Sequence, residues 1–139
     1  MRLYLTISLL LTLVHTALAD TTNRAKQFSP VPGIFVGGVG LECKSNPPNI
    51  VEFLLLTKDR QRVGLAVFEN DDVTYDFLAI TKTTPRTYIA EQENTEVVLD
   101  RQSLKLTMEQ DYKCVVMSIS DLHDAAKDFL RTLLSENKI

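Results

Sequence analysis

Few side chains in this sequence are equipped for covalent or metal chemistry. His123 is the one histidine beyond the apolar N-terminal run, so neither a two-histidine zinc site nor a histidine pair for acid–base work can be assembled there. A Ser–His–carboxylate triad would have to recruit that same residue, which the helical pattern around it places on a polar, solvent-facing side. Carboxylates are more plentiful. The run Glu69-Asn70-Asp71-Asp72 with nearby Asp76 lacks the D-x-D-x-D-G order of a calcium loop and falls where a hairpin turn belongs. Glu91 with Glu93, or Asp76 with a neighbour, has the residue types of a glycosidase pair, yet nothing local says that they converge across a cleft. The reading is therefore of no catalytic residue, no metal ligand and no cofactor.

The stretch PGIFVGGVGLECKS, residues 32–45, gathers Gly33, Gly37, Gly38 and Gly40. A phosphate-cradling loop needs a Lys-Ser/Thr pair straight after its last glycine, and here Gly38 is followed by Val39. A dinucleotide fingerprint needs a third glycine and a helix, and both are missing after Gly38-Val39-Gly40. What remains is a first strand in which glycine permits a bulge, a bend or close backbone approach. The stretch leads into Cys43, which together with Cys114 makes an even pair. In an oxidising route the simplest outcome is one disulfide, worth about 4 kcal/mol by loop entropy.

Those residues must be positioned by what surrounds them. MRLYLTISLLLTLVHTALAD opens with Arg2, continues with an apolar core and ends at Ala17-Leu18-Ala19, the pattern of a secretory signal over residues 1–19. A polar leader follows over 20–32, and a single β domain is predicted for 33–139. Its short apolar runs, separated by turn residues, predict strands at 34–44, 50–57, 62–69, 73–82, 86–91, 95–100, 103–109 and 112–119. Apart from the first, the links are four residues or fewer, so consecutive strands should pair as antiparallel hairpins. The fold class expected is mainly β: an up-and-down meander of seven to eight strands forming a small barrel or curved sheet.

One helix completes the domain. Leu122, Ala125, Ala126, Phe129, Leu130, Leu133 and Leu134 recur with helical spacing, while His123, Asp124, Lys127, Asp128 and Arg131 take the other side. The expected span is 121–136, capped by Ser120 or Asp121, with its wide apolar face docked across the outside of the sheet. The segment 50–56 is apolar on both faces, so its strand should be covered on its second side as well.

Removal of residues 1–19 would leave 14 basic against 18 acidic side chains, a net of about −4. With no basic stripe, nucleic acid is not an expected partner. No second apolar run reaches transmembrane length and the tail carries no lipidation box, so no stable membrane anchor is expected. The expected location is secreted and extracellular.

Two resemblances bear on function. Gly33-Ile34-Phe35 resembles the G-x-W opening of the lipocalin/calycin family, Asp111-Tyr112 is similar to its T-D-Y motif, and an amphipathic C-terminal helix follows as in that family. The resemblance implies a β-barrel that holds a small apolar ligand, with Phe53, Leu65, Val67, Tyr75, Phe77 and Leu106 as inward candidates. A second resemblance is to an immunoglobulin-like domain, in which Val39-Gly40-Leu41-Glu42-Cys43 and Tyr112-Lys113-Cys114 look like the two cysteine strands, although the chain has no tryptophan. The alternative function is a secreted protein-interaction module, an inhibitor or effector, acting through surface loops such as Asn46-Pro47-Pro48-Asn49 and Thr83-Thr84-Pro85-Arg86.

Overall fold

Short links between alternating apolar runs bring each strand back beside its predecessor, and the chain winds as a meander. A computed structural model of the protein describes residues 31–136. The expected signal segment 1–19 and most of the expected leader 20–32 lie outside the described residues. After a 3-10 turn at Gly33–Phe35 come β1 (Val39–Ser45), β2 (Val51–Leu56), β3 (Arg62–Glu69), β4 (Asp72–Thr83), β5 (Thr87–Gln92), β6 (Thr95–Asp100), β7 (Lys105–Thr107), β8 (Asp111–Met117) and α1 (Ile119–Glu136). Every strand pairs antiparallel with the next, and β8 pairs back onto β1, so the meander closes into an eight-stranded barrel. Barrel and helix both belong to the unit Ile34–Ile139.

The closing seam is also the site of the disulfide. Cys43 and Cys114 stand directly opposite each other in the β1–β8 register, with Cα atoms 4.0 Å apart, and they are bonded across a sequence separation of 71. The staple therefore joins the first strand to the last, and no residue of the barrel lies outside the loop by more than a few positions. A disulfide of this kind fits an oxidising compartment.

Alternation splits the strands into an inner and an outer face. Leu41, Leu54, Leu56, Val63, Leu65, Tyr88, Ala90, Val97, Leu99, Leu106, Tyr112 and the disulfide form one continuous inner core. On the outer face a second apolar layer lies beneath α1. Phe53 of β2, Phe68 of β3 and Phe129 of the helix meet there, with ring centroids 5.5 to 6.2 Å apart. This explains why β2 is apolar on both sides: Leu54 and Leu56 fill the barrel while Phe53 and Leu55 are covered from outside.

Glycine is used where backbones approach. A Cβ at Gly40 would run into the Leu122 side chain, and one at Gly64 would lie 2.7 Å from Phe35 Cζ. These two positions let the helix and Phe35 press directly on the strands, close approach being one of the roles expected of the glycines. The single bent strand expected over 34–44 is corrected: Gly33–Phe35 turns, Gly37 takes a φ of 79°, and the strand begins only at Val39.

Other boundaries differ too: β2, β4 and β5 by one residue at each end, and β8, which stops at Met117 and not at the expected 119 because the helix starts at Ile119. β7 is shorter than the expected 103–109, because Leu104 takes a φ of 57° and the Met108 amide turns to donate to the Gln110 carbonyl. The helix begins two residues before the expected 121. Its cap is Ser118, whose Oγ accepts from the Asp121 amide at 3.1 Å, rather than Ser120 or Asp121.

Candidate functional site

The six ligand-wall candidates do not converge. Leu65 and Leu106 lie in the inner core, and Val67 shares the inner side of β3 with Leu65. Phe53, Tyr75 and Phe77 are on the outer face, so the inward direction expected for them is corrected. Phe53 packs on Phe129, and Tyr75 and Phe77 lie 6.5 and 5.7 Å from the Phe35 ring. The physical reason is the second apolar layer: a strand covered on both sides alternates without revealing which side is the interior.

The inner core is closely filled. Leu54, Leu56, Val63, Ile80, Tyr88, Ala90, Val97, Leu99 and Leu106 enclose a void of about 10 Å³. That is no larger than one water needs, and far below the roughly 300 to 1,000 Å³ of small-molecule sites.

The outer layer holds a polar contact that the sequence pattern concealed. His123 was expected on a solvated helix face, yet only 5% of it is exposed, and its Nδ1 lies 2.8 Å from the Tyr75 hydroxyl. With the imidazole proton on Nε2, Tyr75 donates to Nδ1; the other tautomer reverses the direction. Burial pushes the Tyr75 phenol up to about 12. Burial, with Lys127 adding to it, lowers the His123 pKa; Asp124 and Asp72 oppose that shift. Among the described residues this one hydrogen bond joins β4 to α1. Among the described residues no group of three or more His, Cys, Asp or Glu side chains could hold a metal ion.

Open space occurs instead at the barrel ends. The β1–β2, β3–β4, β5–β6 and β7–β8 turns share one end, so the loops 46–49 and 83–86 lie at opposite ends of the barrel. At the first end a groove of about 460 Å³ is lined by Lys44, Ser45, Asn46, Pro48, Lys105, Asp111, Tyr112 and Lys113. Lys44 stands opposite Lys113 in the β1–β8 register, and Lys113 opposite Lys105 in the β7–β8 register, which puts three amines on neighbouring strands. Like charges directly opposite one another cost stability. The row is relieved by Glu42, 3.3 Å from Lys44, by Asp111, 3.1 Å from Lys105, and by the Ser103 carbonyl, which accepts from Lys113 at 3.2 Å.

The loop on this groove is pinned from below. Ser45 Oγ donates to the Pro47 carbonyl at 2.7 Å and accepts from the Ile50 amide at 3.1 Å, and the Ser45 amide donates to the Ile50 carbonyl at 3.0 Å. At the other end, Arg86 Nε donates to Asp100 at 2.7 Å, and the Gln102 and Ser103 amides donate to the same carboxylate. The Ser103 amide first, then Arg86 and the Gln102 amide, hold that carboxyl well below the usual range. Sequence reasoning found both loops but not the lysine row, because cross-strand register is absent from a linear pattern.

No protein-family model, no curated protein and no solved structure matches the chain. Among the described residues no helix is long and apolar enough to cross a membrane.

Proposed function

We propose that the chain is a secreted interaction module that recognises another extracellular protein through its surface, with the groove beside the loop 46–49 as the contact site. The observation that carries this reading is the contrast between a barrel interior with a void of about 10 Å³ and an open groove of about 460 Å³ at its end. An eight-stranded meander with a C-terminal helix is consistent with a lipocalin-like fold, but a carrier needs interior volume, and side chains occupy it here. The hydrogen bonds of Ser45 fix the groove loop before binding, which reduces the ordering cost a partner would have to offset. In the Lys44, Lys113 and Lys105 row only Lys113 has no carboxylate partner among the described residues, and it favours a partner that brings one.

Native mass spectrometry of protein isolated from its own source tests this reading. A ligand-free chain that retains a protein partner, and loses it when Lys44 and Lys113 are both changed to Glu, is the expected result. A co-purifying lipid or other small apolar molecule in stoichiometric amount would overturn it.

A further inference from the structure

The barrel is closed along β4 for only part of that strand's length. β3 pairs with β4 from Arg62↔Ala79 to Glu69↔Asp72, whereas β5 meets β4 only at Ile80, Lys82 and Thr83 and ends at Gln92. The N-terminal half of β4 thus has a strand on one side and none on the other among the described residues. The Ile80 amide donates to the Gln61 carbonyl on the β3 side, so by antiparallel alternation Leu78, Asp76 and Thr74 also turn their amides to β3. Val73, Tyr75 and Phe77 turn theirs the other way. The Val73 amide is taken by Asp72 Oδ1 at 2.8 Å. Those of Tyr75 and Phe77 face the open edge, together with their carbonyls. Exposure agrees: Asp76 shares the inner side of the sheet with its register partner Leu65, yet Leu65 is buried and Asp76 is exposed, because β5 stops short of it.

An edge of this kind takes up an extended segment by main-chain pairing. The charges around it decide which segment. Residues 63–81 and 87–100 contain no lysine or arginine. Glu69 faces Asp72 across the β3–β4 pair and Glu91 faces Glu96 across the β5–β6 pair, so like charges oppose each other on both sides of the edge. None of these four, nor Asp71, Asp76 or Glu93, has an ion-pair partner among the described residues. A second copy of the chain would add the same negative charges to the edge, whereas a cationic segment relieves them.

We propose that the open edge of β4 at Tyr75 and Phe77 is a docking site for an extended, lysine- or arginine-rich peptide segment of a partner protein, which adds to the barrel as an extra strand beyond the end of β5. The site is separate from the lysine-lined groove and opposite to it in charge.

The test uses the full disulfide-bonded chain and an acetylated, amidated heptapeptide of alternating lysine and valine, with its glutamate–valine counterpart as control, followed by amide NMR and hydrogen exchange. The lysine peptide is expected to protect the Tyr75 and Phe77 amides from exchange and to bind more weakly as salt is raised, whereas the glutamate peptide should protect neither amide. Phe77→Pro removes an amide that makes no bond to β3, and it should weaken binding by about tenfold or more. Phe77→Leu keeps the amide and should bind within about threefold of the parent. Should Phe77→Pro fail to fold, Asp76→Lys, which reverses a charge at the edge, takes its place and must weaken the lysine peptide. Equal binding of both peptides, or no protection at Tyr75 and Phe77, overturns the proposal. So does a dimer that is lost in Phe77→Pro, since it assigns the edge to a second copy. A chain that captures a partner at the groove yet ignores the lysine peptide defeats this inference alone.

Discussion

The Tyr75 hydroxyl lies 2.8 Å from Nδ1 of His123, which ties the outer face of β4 to the first turns of α1. Both groups are held in their neutral forms by burial, so the joint is sensitive to pH from either side. A histidine whose folded pKa is below its unfolded value, near 6.5, binds its proton more readily in the unfolded chain. The stability it contributes is therefore complete above that value and lost as the pH falls through it. The phenol, raised to about 12 in the fold, works the other way and costs stability as the pH rises past its ordinary value of 10.0. Urea midpoints measured between pH 5 and pH 7.5 should fall toward acid, and His123→Gln should flatten that slope. Tyr75→Phe should remove the loss above about pH 10 and, by leaving Nδ1 without its hydrogen-bond partner, cost about 1 to 3 kcal/mol at neutral pH.

The seam disulfide should account for a large share of the stability. Changing Cys43 and Cys114 together to Ala is expected to cost about 4 kcal/mol in guanidinium denaturation, since the crosslink closes most of the barrel into one loop. Alkylation of the non-reduced protein should add no mass at either cysteine.

Gly40→Ala and Gly64→Ala test how closely the outer layer is pressed on the strands. The new methyl at position 40 meets Leu122, and the one at position 64 meets Phe35 at 2.7 Å. Each is expected to destabilise by about 1 to 3 kcal/mol, by overpacking. Gly40→Ala should also shift the His123 ring resonances, because α1 has to move outward. An unchanged melting curve for both would show that the layer yields without cost.

Glu52 offers a stabilising substitution. It stands opposite Cys43 in the register, hence on the inner side of β2, and burial raises its carboxyl pKa. The unfolded chain therefore releases that proton more readily, so the fold loses stability as the pH rises through the carboxylate range. Glu52→Gln is expected to raise the urea midpoint at pH 7 and to leave it nearly unchanged at pH 4. A lower midpoint at pH 7 would mean that the charge is used.

Much of this architecture was legible in order and spacing. The strands at 62–69 and 95–100 have the predicted limits, since period-two alternation between turn residues is a local property. The helix was equally plain in its apolar stripe, as was its docking on the outside of the sheet. The even cysteine pair and the short links fixed one crosslink and an antiparallel order without reference to any neighbour.

Tertiary structure alone decided which side of each strand is the interior, because the helix and Phe35 cover the outside of β2 to β4 with side chains as apolar as those within. For that reason Phe53, Tyr75 and Phe77 read as inward candidates and lie outward, and His123, polar by its place on the helical wheel, is buried against Tyr75. Only the register could place Lys44, Lys113 and Lys105 side by side, or leave Tyr75 and Phe77 on an open edge, because strand pairing joins residues far apart in sequence. The sequence by itself determined a crosslinked β meander with one amphipathic helix. That the meander closes, that its centre is filled, and that its open surfaces include a lysine-lined groove, a wider hollow of about 620 Å³ beside the β2–β3 loop and a half-free strand follow from long-range packing, which alternation alone does not encode.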